Sequence, residues 1–185
     1  MKKIILDCGS HLGESVRKFR STFRNDTCEF YMFEPNTYLF NIVDTDLEFN
    51  DCKKYNKAIS NKNEVVKLWG CVNNKKSVGS TLEKSKATWD QIKEDDYIEI
   101  ESIDLSEFIV DNFTKDDYIV LKLDIEGAEY DVLEKLLETN TISYINEVYC
   151  EFHTQWLAPE FSKREYNIRE KLKEINMQIN DWDAL

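Results

Sequence analysis

Glycine and proline are scarce in this chain, 5 and 2 among 185 residues. Each glycine therefore marks a place where the backbone needs unusual freedom or a close approach. Cysteine is limited to Cys8, Cys28, Cys52, Cys71 and Cys150. The number is odd and no C-x-x-C pair occurs, which argues against a disulfide framework and against structural zinc. A reduced, cytoplasmic setting fits best. No apolar run reaches the roughly 20 residues of a membrane helix. Met1-Lys2-Lys3 leads into too few apolar residues before Asp7 to form a signal-peptide core. No membrane insertion is expected. Positive charge is short as well: 24 Lys and Arg against 36 Asp and Glu give a net charge of -12 and a pI near 4.7. A protein that tracks a phosphate backbone shows the opposite balance, so no nucleic acid partner is expected.

What is present is enough for a real core. The chain is 42% hydrophobic, with 10 Phe, 9 Tyr and 4 Trp. At this length a chain buries roughly 70% of the surface its unfolded form exposes, and one domain over 1–185 is expected. Strand and helix patterns alternate. Lys3–Leu6, Cys28–Phe33, Tyr55–Ile59, Val65–Trp69, Tyr97–Ile103, Tyr118–Leu123, Tyr144–Phe152 and Met177–Trp182 read as strands. Helices are expected over Leu12–Phe23, from Asn36 to about Leu47, near Leu82–Ile92, after Asp104, over Ile125–Glu138, and from Ser162 to about Ile175. Asp104 and Ser162 each stand three residues before a glutamate, the form of a capping box. The polar, lysine-rich stretch 71–96 reads as an irregular insertion. Within it, Gly79-Ser-Thr-Leu82 reads as an ordinary loop rather than a lid, and Lys75, Lys76, Lys84 and Lys86 read as solvated charges. The alternation predicts an α/β fold, a doubly wound and mostly parallel sheet with helices on both faces. Ligands of such sheets sit at the carboxyl ends of the strands.

Four strand ends carry chemistry. The first ends in Asp7-Cys-Gly9-Ser10-His11-Leu-Gly13. Gly9 permits close backbone approach, and Gly13 lets a helix start against the sheet. The pattern is D-x-G-x-x-x-G rather than G-x-G-x-x-G. A carboxylate there would repel a pyrophosphate but would suit a cationic ligand, which favours S-adenosylmethionine over a nicotinamide dinucleotide. The second strand ends in Glu34-Pro35-Asn36, and an acid about 20 positions past a glycine loop is the expected ribose partner. The third feature is Lys122-Leu-Asp124-Ile-Glu126-Gly127-Ala-Glu129. Asp124 sits at a strand end, Glu129 reads equally well as a helix-start charge, and Gly127 inside a helix start would cost about 1 kcal/mol against alanine. In the fourth, Glu147, Tyr149, Glu151 and His153 share one strand face by even spacing. His153 suits base work near neutrality. Asp124, Glu126, Glu151 and His153 are too far apart in sequence to signal a metal, and none is expected.

Taken together the motifs resemble the FkbM family of methyltransferases. The resemblance is carried by Leu6-Asp-Cys-Gly-Ser-His-Leu-Gly-Glu-Ser15, Phe33-Glu-Pro-Asn36, Lys57-Ala-Ile-Ser60, Gly79-Ser-Thr-Leu82, Ser102-Ile-Asp-Leu105, Leu121-Lys-Leu-Asp-Ile-Glu-Gly-Ala-Glu129 and Glu151-Phe-His153. It covers about Leu6 to His153, and K-x-D-x-E-G-x-E is its most specific piece. It implies a Rossmann-like methyltransferase fold, S-adenosyl-L-methionine as cofactor, and methyl transfer to a hydroxyl of a sugar, glycan or small molecule. By motif, Asp7, Gly9, Ser10, His11, Gly13 and Ser15 would line the methionine side. Glu34 would hold the ribose beside Pro35 and Asn36, Ala58 and Ile59 would lie near the adenine, and Asp124, Glu126 and His153 would face the acceptor. Asp124 or His153 would be the base, with Asp124 preferred. Two departures stand out: the chain starts directly at the first strand, and it ends soon after the last, so the usual closing hairpin is expected to be incomplete. A degenerate cofactor-binding domain that needs a partner, or a homo-oligomer, is the alternative these departures leave. A nucleic-acid base methyltransferase would show N/D-P-P-Y/F/W where this chain has Asp124-Ile-Glu-Gly127.

Overall fold

The computed structural model describes residues 3–77, 79–89 and 91–182. Its centre is β1 (Lys3–Cys8), in which Ile4, Ile5 and Leu6 are at most 1% exposed. A continuous apolar run of this kind belongs to a parallel strand covered on both faces. The flanking strands are β2 (Cys28–Phe33) and β7 (Tyr118–Leu123), both parallel to β1. With β3 (Lys53–Tyr55), β8 (Ile145–Cys150) and β9 (Ile179–Asp181) they form a six-stranded sheet in the order β3-β2-β1-β7-β8-β9. Every pairing in it is parallel. The chain steps outward from β1 to β3 and then resumes on the other side of β1, so the strand order reverses between β1 and β7.

Side-chain alternation divides the core in two. Ile4, Leu6 and Cys8, with Leu121 and Leu123, face α4 (Leu105–Asn112), α5 (Glu129–Glu138) and α6 (Glu160–Glu174). Ile5, Phe30, Met32 and Val120 face Val16 and Phe19 of α1 (Glu14–Thr22), Val43 of α2 (Thr37–Thr45), and Phe49. A second sheet has the order β4-β6-β5, made of β4 (Ala58–Ser60), β6 (Tyr97–Asp104) and β5 (Val65–Trp69). β5 runs antiparallel to β6. Within the 71–96 stretch lies the short helix α3 (Lys84–Trp89). No helix among the described residues is long and apolar enough to cross a membrane.

Several boundaries differ from the sequence reading, each for a local reason. The strand expected over Tyr55–Ile59 is two strands in two sheets. Asn56 breaks it, its side-chain amide donating to the carbonyls of Glu34 (2.9 Å) and Pro35 (3.2 Å). The helix expected from Ile125 begins at Glu129, because Glu126 (φ +59°) and Gly127 (φ +111°) have left-handed backbone that no α-helix contains. The helix expected at Ser162 begins at Glu160, which puts Ser162 inside the first turn rather than at the cap. Asp104 does cap its helix, accepting from the amides of Ser106 and Glu107, but its own amide donates to Asn63 rather than to Glu107. The fourth strand end also changes: β8 stops at Cys150, the Glu151 amide still donates to Leu123 of β7 at 2.9 Å, and His153 lies beyond the strand. In place of a closing hairpin, β9 pairs directly and in parallel with β8.

Gly9 is where β1 and β7 come closest beyond the sheet. It has φ +82°, and a Cβ there would lie 1.9 Å from the carbonyl oxygen of Asp124. Gly9→Ala is expected to lower the unfolding free energy by at least about 2 kcal/mol in chemical denaturation, through backbone strain and forced separation of the two strand exits. Wild-type stability would contradict this account of the turn.

Candidate active site

The register of β1 on β7 sets Asp7 directly opposite Lys122. Both point to the α1 side, at the carboxyl end, and both are buried. Lys122 Nζ lies 3.3 Å from Asp7 Oδ1 and 3.4 Å from Asp124 Oδ2, and donates to the carbonyl of Gly9 at 2.6 Å. The Ser15 hydroxyl donates to Asp7 from the first turn of α1. Burial would lower the pKa of Lys122, yet the charges of Asp7 and Asp124 raise it, so the ammonium is retained. Burial raises Asp7, with Lys122 and Ser15 opposing it. Asp7 is thus held by Lys122 and Ser15, although its Oδ1 accepts no hydrogen bond, and it does not line the cavity, unlike the ligand-facing carboxylate expected from sequence.

The cavity opens over this pair, at the reversal of strand order, with a volume of about 380 Å³. Of the residues singled out by sequence, Gly9, Ser10, His11 and Ser15 line it, as do Glu34, Pro35, Ala58, Ile59, Asp124 and Glu126. Gly13 (φ +82°) instead packs against the ring of Phe49. Asn36 caps α2, accepting from the amide of Tyr38 at 3.1 Å. Glu34 is held by two loops at once: the amides of His11 and Asn36 each donate to its carboxylate at 2.8 Å. Burial pushes its pKa up to about 7, against the pull of those two amides. The Ser10 hydroxyl is buried on the cavity wall without a hydrogen-bond partner. An orphaned buried hydroxyl of this kind is a ready contact for a polar ligand group.

The far end of the cavity is built by the turn 124–128. The carboxylate of Glu129 folds back to accept from the amides of Ile125 and Gly127, both at 2.9 Å. It also meets His153 Nδ1 at 2.9 Å. Glu129 is buried at 0% exposure; it is the first residue of α5, where a helix-start charge is expected, and its carboxylate also holds the turn before the helix. His153 is 1% exposed and does not itself line the cavity. Its Nε2 lies 3.2 Å from Glu126 Oε2, 3.8 Å from Asp124 Oδ1 and 3.8 Å from Glu151 Oε1. These four residues are distant in sequence but adjacent in space.

The 71–96 stretch closes the same end. Lys75, Lys76 and Lys84 are exposed, as expected of solvated charges, but Lys86 is 4% exposed with its Nζ 2.8 Å from Glu126 Oε2. Thr81 Oγ1 donates to the carbonyl of Glu126 at 2.5 Å, and Ser77, Ser80 and Leu82 reach the cavity wall. This stretch is more than an ordinary loop. Sequence reasoning also passed over Trp182 and Leu68, which line the cavity from elements remote in the chain and carry no local signal. For Lys122 a signal existed: it is the only charge in an otherwise apolar strand.

A family model of the methyltransferase FkbM domain matches residues 7–183. The chain belongs to this family. Among solved structures it is similar to the crystal structure of methyltransferase FkbM from Methylobacillus flagellatus KT, with 17% identity and a TM-score of 0.46. That similarity covers 74% of this chain and 29% of the other, so the chain spans under a third of that protein's length. No curated protein matches it.

In this FkbM domain the charge state of His153 decides what the far end can do. Burial would lower its pKa. The hydrogen bond to Glu129 and the charges of Glu129, Glu126 and Asp124 outweigh burial and push it up to about 9. Because that lies above the ordinary value of 6.5, the charged ring contributes stability that is complete below pH 6.5 and is lost as pH rises through 9. The chain has 2 histidines, so the ring can be followed by NMR and assigned with His11→Asn. A titration midpoint near 9 is expected, falling in Glu129→Gln. A midpoint at or below 6.5 in the wild type would contradict this geometry.

Proposed function

We propose that this domain is an S-adenosylmethionine-dependent O-methyltransferase that acts on a hydroxyl of a sugar, glycan or small molecule. The observation that carries the reading is one cavity at the strand ends whose wall brings together chemically distinct groups. It joins the Glu34 carboxylate, the orphaned Ser10 hydroxyl and the apolar Ala58, Ile59 and Leu68 with the carboxylates of Asp124 and Glu126.

These residues fit the cofactor. Glu34 is fixed by two backbone amides, and its remaining acceptor capacity suits the paired hydroxyls of a ribose. The apolar residues beside it suit an adenine. Ser10 offers its unpartnered hydroxyl to the amino-acid end. When bound, the cofactor supplies an activated methyl group, so the protein's share is positioning and proton removal. Asp124, with its side chain 25% exposed at the cavity wall, is the group that receives the acceptor proton. His153 carries its own proton at neutral pH and therefore is not the base.

Binding should depend on pH through Glu34. Ribose hydroxyls are donated to the ionised carboxylate, so affinity rises as pH rises through 7. Roughly tenfold weaker binding is expected per unit below that value. Calorimetric titration of the cofactor at pH 6, 7 and 8 checks this, with the dependence abolished and affinity reduced in Glu34→Gln. With a panel of hydroxyl acceptors, Asp124→Asn should keep cofactor affinity and lose at least about 100-fold in turnover. Cofactor binding without turnover on any acceptor would leave a binding domain. No binding at any pH would sink the whole reading.

A further inference from the structure

Three ligand atoms of different chemistry converge at the acceptor end. One carboxylate oxygen each of Asp124 and Glu126 and a ring nitrogen of His153 all lie within 4.8 Å of one another, with His153 Nε2 3.8 Å from Asp124 Oδ1 and 3.2 Å from Glu126 Oε2. The carboxylates come from the turn after β7 and the imidazole from the turn after β8, so the register of two strands brings them together. This is more than a group of acids. His153 is almost wholly buried, and its Nδ1 is taken by Glu129, a carboxylate that is itself fixed by two backbone amides. That arrangement aims Nε2 into the cluster. An imidazole oriented through its other nitrogen by a carboxylate is the usual support for a metal ligand.

A second observation shows that the cluster attracts a cation. The ammonium of Lys86 is buried against Glu126 Oε2. Burying an ammonium is costly unless strong negative charge meets it. Asp124 and Glu126 both line the cavity, so a cation held here would face the bound acceptor.

We propose that Asp124, Glu126 and His153 form a divalent-cation site at the acceptor end, with Glu129 as the positioning residue and Lys86 as the competing internal cation. Two carboxylates and one imidazole suit a cation of mixed oxygen and nitrogen preference, such as Mn²⁺. Ligand bonds of about 2.0–2.2 Å require only small side-chain movements from the present separations. Cation binding displaces the Nε2 proton of His153 and the ammonium of Lys86. The open coordination positions face the cavity, where an acceptor oxygen bound to the cation becomes more acidic. The inference rests on the proposed reading only in naming this end as the acceptor end.

The test uses the full chain without cofactor or acceptor. Mn²⁺ is titrated and the free ion is followed by electron paramagnetic resonance. One ion per chain is expected, binding more tightly as pH rises and broadening the His153 ring signals in NMR. Affinity should fall about tenfold or more in Glu126→Gln and in Asp124→Asn, and by 10- to 100-fold in Glu129→Gln. It should be unchanged in Glu48→Gln, an acid on another face, and should rise in Lys86→Met. Circular dichroism confirms that each variant is folded. Equal loss in Glu48→Gln and Glu126→Gln, or no binding below millimolar Mn²⁺, would overturn the site. Separate cofactor titrations keep that failure distinct from a failure of the methyltransferase reading.

Discussion

Lys122 is the point on which the site depends. A lysine inside an apolar, doubly covered strand must find negative charge or be expelled. It finds Asp7 across the β1–β7 register and Asp124 at the end of its own strand. Through the Gly9 carbonyl it also fixes the first loop. One buried cation therefore ties together both sides of the place where the strand order reverses. A slip of one residue in register would turn Lys122 and Asp7 to opposite faces.

From that tie the rest follows outward. The loop after β1 places the His11 amide on Glu34, so the second strand end is locked to the first. The turn after β7 has left-handed backbone at Glu126 and Gly127, and only the inward-folded Glu129 satisfies its amides. Glu129 in turn holds His153, which ties the fourth strand end to the turn after β7. Each strand end is positioned by a charged or hydrogen-bonded contact to its neighbour. The 71–96 segment rests on Glu126 at the cavity wall through Thr81 and Lys86.

Much of this was legible in sequence, in a particular way. Short, nearly continuous apolar runs located β1, β2 and β7 and thereby the strand ends around which the cavity forms. Spacing from the glycine loop singled out Glu34, which lines the cavity. Legibility stopped where a side chain's role depends on what lies opposite it. Asp7 reads as a ligand-facing carboxylate until the register sets Lys122 beside it. Glu129 reads as a helix-start charge and is the first residue of α5, but its bonds to the turn before the helix and to His153 carry no sequence signal. His153 reads as the end of a strand face, yet β8 stops at Cys150 and the ring turns toward Glu129. The separation of Asp124, Glu126 and His153 in sequence concealed their adjacency. Lys86 looked like one more surface lysine in a lysine-rich stretch, and only burial against Glu126 distinguishes it.

The most direct test of this account is the unfolding free energy of Lys122→Met beside that of the double variant Asp7→Asn/Lys122→Met, measured by urea denaturation. Removing the cation alone leaves the Asp7 charge buried without its partner, and a loss of about 3–5 kcal/mol is predicted. The double variant removes that orphaned charge and should recover a large part of the loss. A single variant as stable as the wild type, or a double variant whose loss is the sum of two independent losses, would contradict the claim that the β1–β7 ion pair organises the site.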